Sequence, residues 1–143
     1  MKKKLLVIVF AILVGGVLAL PALQLKKDWQ KEEYTSLYVL QSGVFKNYEN
    51  ALEKQASLLG SVIVQEQGTY YVYAGVSLKE KDLERMEKIL QEKQIAYYKK
   101  QIMVKSNKET LEKYNLLLQK ADNEETLLLV NKKMLESVSF HEL

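Results

Sequence analysis

The chain has 143 residues, 48% of them hydrophobic, with 21 Lys and Arg against 18 Asp and Glu and a formal net charge of +3. That length holds one compact domain with attachments and excludes two full domains. The absence of cysteine excludes disulfides and lipid attachment at a cysteine, and a lone histidine, His141, leaves a His-centred triad or a His/Cys metal site almost nothing to stand on.

The N-terminus reads "MKKKLLVIVFAILVGGVLALPAL": three lysines, then 19 uncharged and mostly apolar residues at positions 5–23. At helical rise this run spans about 28 Å, close to a bilayer core. Two readings fit, an uncleaved transmembrane anchor and a signal peptide cut near Val17-Leu18-Ala19. The run continues through Leu23, past the roughly 7–15 apolar residues of a signal peptide, which favours the anchor. Lys2, Lys3 and Lys4 place the start in the cytoplasm, with Lys26 and Lys27 reducing the asymmetry. The expected location is therefore the cell membrane, single-pass, with everything after about residue 24 extracytoplasmic. From Asp28 onward 16 basic residues face 18 acidic ones, a balance of −2 that argues against nucleic acid as a partner.

Residues 24–36, "QLKKDWQKEEYTS", read as a polar juxtamembrane linker with Trp29 as an interface anchor or packing residue. From residue 37, "LYVLQSGV" is a strand by its β-branched and aromatic content. "NYENALEKQASLLG" is a helix capped by Asn47, with Ala51, Leu52, Ala56 and Leu59 on one face and Gly60 as its stop. "SVIVQEQGTYYVYAGV" holds two strands joined at Gln67-Gly68, a hairpin signal. Ser77 or a neighbour caps the next helix, whose apolar face is Leu83, Met86, Ile89 and Leu90, and "IAYYKKQIMV" is the last strand. The order β-α-β-β-α-β predicts an α+β, ferredoxin-like fold: a four-stranded antiparallel sheet with two helices on one face. Residues 105–143 add two leucine-rich helices opened by Ser106-x-x-Glu109 and Asp122-x-x-Glu125. Their apolar faces need cover, either on the domain or on another chain.

An offset of 32 residues places Gly43-Val44 on Gly75-Val76 and Tyr38 on Tyr70, so the domain reads as two halves of strand, Gly turn, helix and strand. If Val72, Ala74 and Val76 point to the helices, alternation turns Tyr71 and Tyr73 to the other, open face. Gln41 then shares that side with Tyr73, and the last strand adds Tyr97 or Tyr98, which a one-residue slip exchanges. The carboxylate pairs Glu49/Glu53 and Glu80/Glu84 lie on helix exteriors among lysines, and no phosphate-binding loop follows any strand. No catalytic residue, metal or cofactor is predicted. An open face of tyrosines and an amide suits a neutral polyhydroxylated ligand, whose C–H side the rings cover while amide and phenol groups bond its hydroxyls. Equally, tyrosines are good strand residues that the C-terminal helices partly cover.

Two stretches carry a family resemblance. "LQSGVFKNYENA", residues 40–51, resembles the first-strand signature of the SPOR domain, Leu/Val-Gln-x-Gly-Ser-Phe followed by an Asn-Ala helix start, and "YYVYAGVS" resembles its second-half signature ending in Gly-Pro-Phe. The resemblance spans residues 37–104 and implies a ferredoxin-like module that binds peptidoglycan glycan strands lacking stem peptides, in division or sporulation. It implies glycan contacts from Gln41, Tyr71 and Tyr73, with Gly43 and Gly75 as turn residues. Val44 departs from the family's usual Ser, and Ser77 with Leu78 replace its Pro-Phe. The expected layout is thus an anchor (1–23), a linker (24–36), a SPOR-like domain (37–104) and a helical extension (105–143). The alternative function is a membrane-anchored interaction module that uses the same fold and its C-terminal helices to bind a division or cell-wall protein.

Overall fold

The computed structural model describes residues 32–140. The apolar segment at 5–23 and His141 lie outside them, and among the described residues no helix is long and apolar enough to cross a membrane. Residues from Glu33 onward form one compact unit. Its elements are β1 (Glu32–Phe45), α1 (Tyr48–Ala56), β2 (Val62–Glu66), β3 (Thr69–Ser77), a 3-10 turn (Glu80–Leu83), α2 (Glu84–Glu92), β4 (Tyr98–Asn107), α3 (Lys108–Lys120) and α4 (Glu124–Glu136). The strands lie in the order β2-β3-β1-β4, the ferredoxin-like arrangement with β1 and β3 central. β1 starts at Glu32, so the stretch read as a linker gives its last five residues to the sheet.

The β2–β3 hairpin turns at Gln67 and Gly68, both with positive φ (47° and 71°), the two-residue turn whose twist matches antiparallel strands. On β3, Val72, Ala74 and Val76 are buried on the side of α1, whose Tyr48 ring lies 5.4 Å from that of Tyr70. Asn47 caps α1, its Oδ1 accepting the Glu49 N–H. The buried residues of this segment are Ala51 and Leu58, whereas Leu52 and Leu59 are 45% and 74% exposed, against the expected face. The helix ends at Ala56, because the hydroxyls of Ser57 and Ser61 donate to the carbonyls of Lys54 and Leu58 in place of a further turn. Leu58 then drops into the core from outside the helical period.

Three predicted caps move. Ser77 stays in β3, and its Oγ accepts the Lys79 N–H ahead of the 3-10 turn. α3 is capped by Asn107, because β4 runs on through Ser106, and α4 by Asn123. In both, Oδ1 accepts the N–H three residues on, at 2.8 Å.

The C-terminal helices pack on the domain they follow. Leu111, Leu118, Leu127, Leu128, Met134 and Leu135 are buried, and two asparagines in the same faces fix the docking. β2 begins at Val62, opposite Tyr73, so the outer edge of β3 beyond that point has no strand partner. Asn131, fully buried, supplies one: its Oδ1 accepts the Val76 N–H at 3.1 Å, and its Nδ2 donates to the carbonyls of Ala74 and Gly60, each at 3.0 Å. Asn115 does the same after β3 ends, accepting from Ser77 Oγ and the Leu78 N–H and donating to Asp82. Arg85 of α2 closes the hairpin's turn by donating to the carbonyls of Leu118 and Ala121.

Candidate functional site

The sheet face turned away from α1 carries a row of three rings. Tyr71 and Tyr73 lie nearly parallel, 14° apart with centroids 6.2 Å from one another, and Phe140 stacks on Tyr73 at 5.2 Å. Phe140 belongs to the segment after α4, which returns over the sheet and makes a β-bridge from Ser139 to Lys105. Tyr73 is consequently only 1% exposed. This corrects the expectation of an open Tyr73: alternation does turn the ring away from α1, but the C-terminal segment supplies a second cover. Burial pushes its phenol pKa up, with the charges of Glu66 and Tyr71 adding to the shift.

Tyr71 stays half-buried at the border of that cover. Its cross-strand neighbour is Val44, 49% exposed. Above the two tyrosines stands Lys100 of β4, its Nζ 5.0 Å from the Tyr71 centroid and 5.2 Å from that of Tyr73. An ammonium over ring faces is held by their quadrupoles. Burial lowers the Lys100 pKa from the ordinary lysine value, and the charge of Glu66 opposes that shift.

β4 resolves the choice between Tyr97 and Tyr98. Lys99 makes ion pairs of 3.1 Å with Glu80 and with Glu87 of α2, which points it to the helix side, and Lys100 to the tyrosine side. The hydrogen bonds that Lys99 donates to Glu87 and Glu80 raise its pKa. By the same alternation Tyr98, 66% exposed, lies with Lys100. Tyr97 precedes the strand, and its hydroxyl accepts from Gln91 of α2. It is thus tied to the helix layer and does not join the other tyrosines.

Gln41 stands opposite Tyr73, half-buried, and its amide has no hydrogen bond among the described residues. The β1–β3 register shifts on both sides of it, and the adjacent Ser42 Oγ is buried without a partner. Gly43 and Gly75 lie within strands and not at turns. A Cβ on Gly43 would strike the Phe45 ring, and one on Gly75 would meet Leu40 Cδ1 at 2.8 Å, so both glycines serve close packing. The open part of the face therefore brings together Tyr71, Val44, Lys100 and Tyr98, with Gln41 at its margin. Among the described residues no cluster of three or more His, Cys, Asp or Glu is arranged to hold a metal.

No family model matches the chain, and no curated protein does. A solved structure does: the solution structure of the peptidoglycan-binding domain of the B. subtilis cell wall lytic enzyme CwlC. It is 20% identical with a TM-score of 0.42, over 50% of this chain and 96% of that one.

Sequence reasoning missed Lys100 and Phe140. Lys100 carried a usable signal, being one of two adjacent lysines in an otherwise alternating strand, where one of the pair must face each side. Phe140 carried none, since it lies outside any periodic element.

Proposed function

We propose that this chain binds peptidoglycan glycan strands, without catalysis, through the open part of the sheet face. The observation that carries this reading is the open part of the sheet face: the half-buried Tyr71 ring, with Tyr98 and Val44 exposed alongside and the unbonded amide of Gln41 at the margin. Such a surface offers ring faces to sugar C–H groups and free donors and acceptors to hydroxyls and acetamides. The signature residues Gln41, Gly43 and Phe45 support it by their place on β1, next to β3. In this reading residues 5–23 anchor the protein in the cell membrane and the folded unit works in the wall space, in division or sporulation.

The test is co-sedimentation of a fragment spanning residues 28–143 with purified sacculi, before and after an amidase removes the stem peptides. Pelleting that rises with stripped material and drops in Tyr71→Ala and Gln41→Ala supports the reading. Absence of pelleting with either material sinks it.

A second reading, a protein-binding module, has its own observation. Leu116, Leu117 and Leu129 of the C-terminal hairpin are 49%, 42% and 58% exposed, and Tyr48, Leu52 and Leu59 add apolar surface on the α1 side. A groove of about 660 Å³ between α1, β2 and α4, lined by Tyr48, Gln55, Ile63, Tyr70, Lys132 and Glu136, opens beside that surface. Crosslinking in cells that captures one wall protein, lost on Leu129→Lys, would favour this reading over the first.

A further inference from the structure

Two adjacent lysines of β4 differ in one respect that matters for a ligand. Lys99 is neutralised by two carboxylates on the helix side. Lys100, on the tyrosine side, has no ion pair among the described residues; it stands over two rings, half-buried, with only the more distant charge of Glu66 acting on it. Aromatic quadrupoles hold an ammonium in place without cancelling its charge.

We propose that Lys100 is the specificity-determining residue of the glycan face and that it pairs with a sugar carboxylate. This deepens the glycan-binding reading and rests on it. In a chain of alternating N-acetylated hexosamines, only the lactyl ether of the muramic residues carries a carboxyl group. When a stem peptide is attached, that carbon is a neutral amide. Hydrolysis of the amide adds water across the C–N bond, releases the peptide amine and leaves a carboxylate on the glycan. A neutral sugar laid on the rings would strip water from Lys100 and return no charge, whereas a lactyl carboxylate returns one at hydrogen-bonding distance. The stem-bearing strand loses the charge and adds a peptide at the same point. Preference for stripped strands thus becomes a local electrostatic property of one side chain, weakened by salt because the site is half open.

The experiment measures binding of the full-length chain to three defined tetrasaccharides: a muramic-containing strand with free lactyl carboxylates, the same strand bearing stem peptides, and neutral chitotetraose. Lys100→Met keeps an unbranched stem over the rings and removes the charge, Lys100→Arg keeps the charge, and near-ultraviolet circular dichroism of the tyrosines checks that each variant is folded. The parent should prefer the free-carboxylate strand over both others by about tenfold, with the preference shrinking as salt rises. Lys100→Arg should retain that preference and Lys100→Met should lose it. Equal binding of chitotetraose and the free-carboxylate strand by the parent, or an undiminished preference in Lys100→Met, overturns the role of Lys100 and leaves glycan binding standing. Failure of the parent to bind any of the three removes both.

Discussion

The face of the sheet opposite α1 is divided between two fates on the same strands. At Tyr73 and Ser77 it is sealed, the one by Phe140 and the other by Asn115; at Tyr71, Val44 and Tyr98 it is open. Nothing in the strands themselves distinguishes the halves, since Tyr71 and Tyr73 are the same residue type two positions apart on one side of β3. The division is imposed by where the C-terminal hairpin docks, and that docking is polar as well as apolar: β3 outruns β2, and Asn131 and Asn115 meet its unpaired backbone. A strand edge left bare would be a site for another strand, so the hairpin also closes the sheet at that point.

Removal of the docking asparagine should have the largest effect on this division. Asn131→Ala leaves the Val76 N–H and the Ala74 and Gly60 carbonyls without their partner, two of them in the interior, and should cost about 3 kcal/mol or more in urea unfolding. The same edge is tested from the other side by Gly60→Ala. Gly60 has φ of 81°, and a Cβ there would meet the backbone carbonyl oxygen of Leu128 in α4 at 2.8 Å. Strain and clash together should destabilise by about 2 kcal/mol, with hydrogen exchange rising first in α4.

How much of this was legible follows from which signals are periodic. The strand β3 and the sides its residues take follow from their alternation, the Gln67-Gly68 turn from its residues, and Met86 and Leu90 as the buried residues of α2 from their spacing. The inward face of α1 was misread because Leu58 reaches the core from beyond the helix end, where a 3.6-residue period no longer applies. Their leucine spacing predicts the C-terminal helices as elements and allows two partners for their apolar faces, and the deciding residues are the ones that break the apolar pattern. Asn115 stands in line with Leu111 and Leu118, and Asn131 with Leu127 and Met134, so each is an amide on a buried stripe. A buried amide needs backbone to bond, and a domain whose β3 outruns β2 offers it; sequence alone does not show that length difference. The site was half legible for the same reason: alternation places Tyr71 and Tyr73 on one face, and only the docked tail separates them.

A smaller change sharpens the boundary between the halves. Phe140 is half-buried, so Phe140→Ala should cost about 1–2 kcal/mol, less than truncation of a fully buried ring. It should also open the Tyr73 ring to collisional quenchers. If stability is unchanged and quenching does not increase, Phe140 is not what seals that half.

The smallest effect is a proton's. The Tyr73 phenol is held above its ordinary value of about 10, first by burial and then by the charges of Glu66 and Tyr71. The folded chain then holds this proton more tightly than the unfolded one, so the stability it contributes is complete below pH of about 10 and is lost as pH rises toward the folded value. Lys100 runs against it in the same range: its lowered pKa makes the folded state shed a proton early, so its penalty is relieved as pH rises. The two are separated by working in the Lys100→Met background. There the phenolate absorbance of the nine tyrosines should contain a late component that Tyr73→Phe removes, and unfolding midpoints above pH 10 should fall more steeply with Tyr73 present. Phe140→Ala, by letting water reach the ring, should bring that component forward. A late component that ignores Phe140 would mean that burial by the tail is not what sets the phenol apart, and the sealed half would have to be explained by the strands after all.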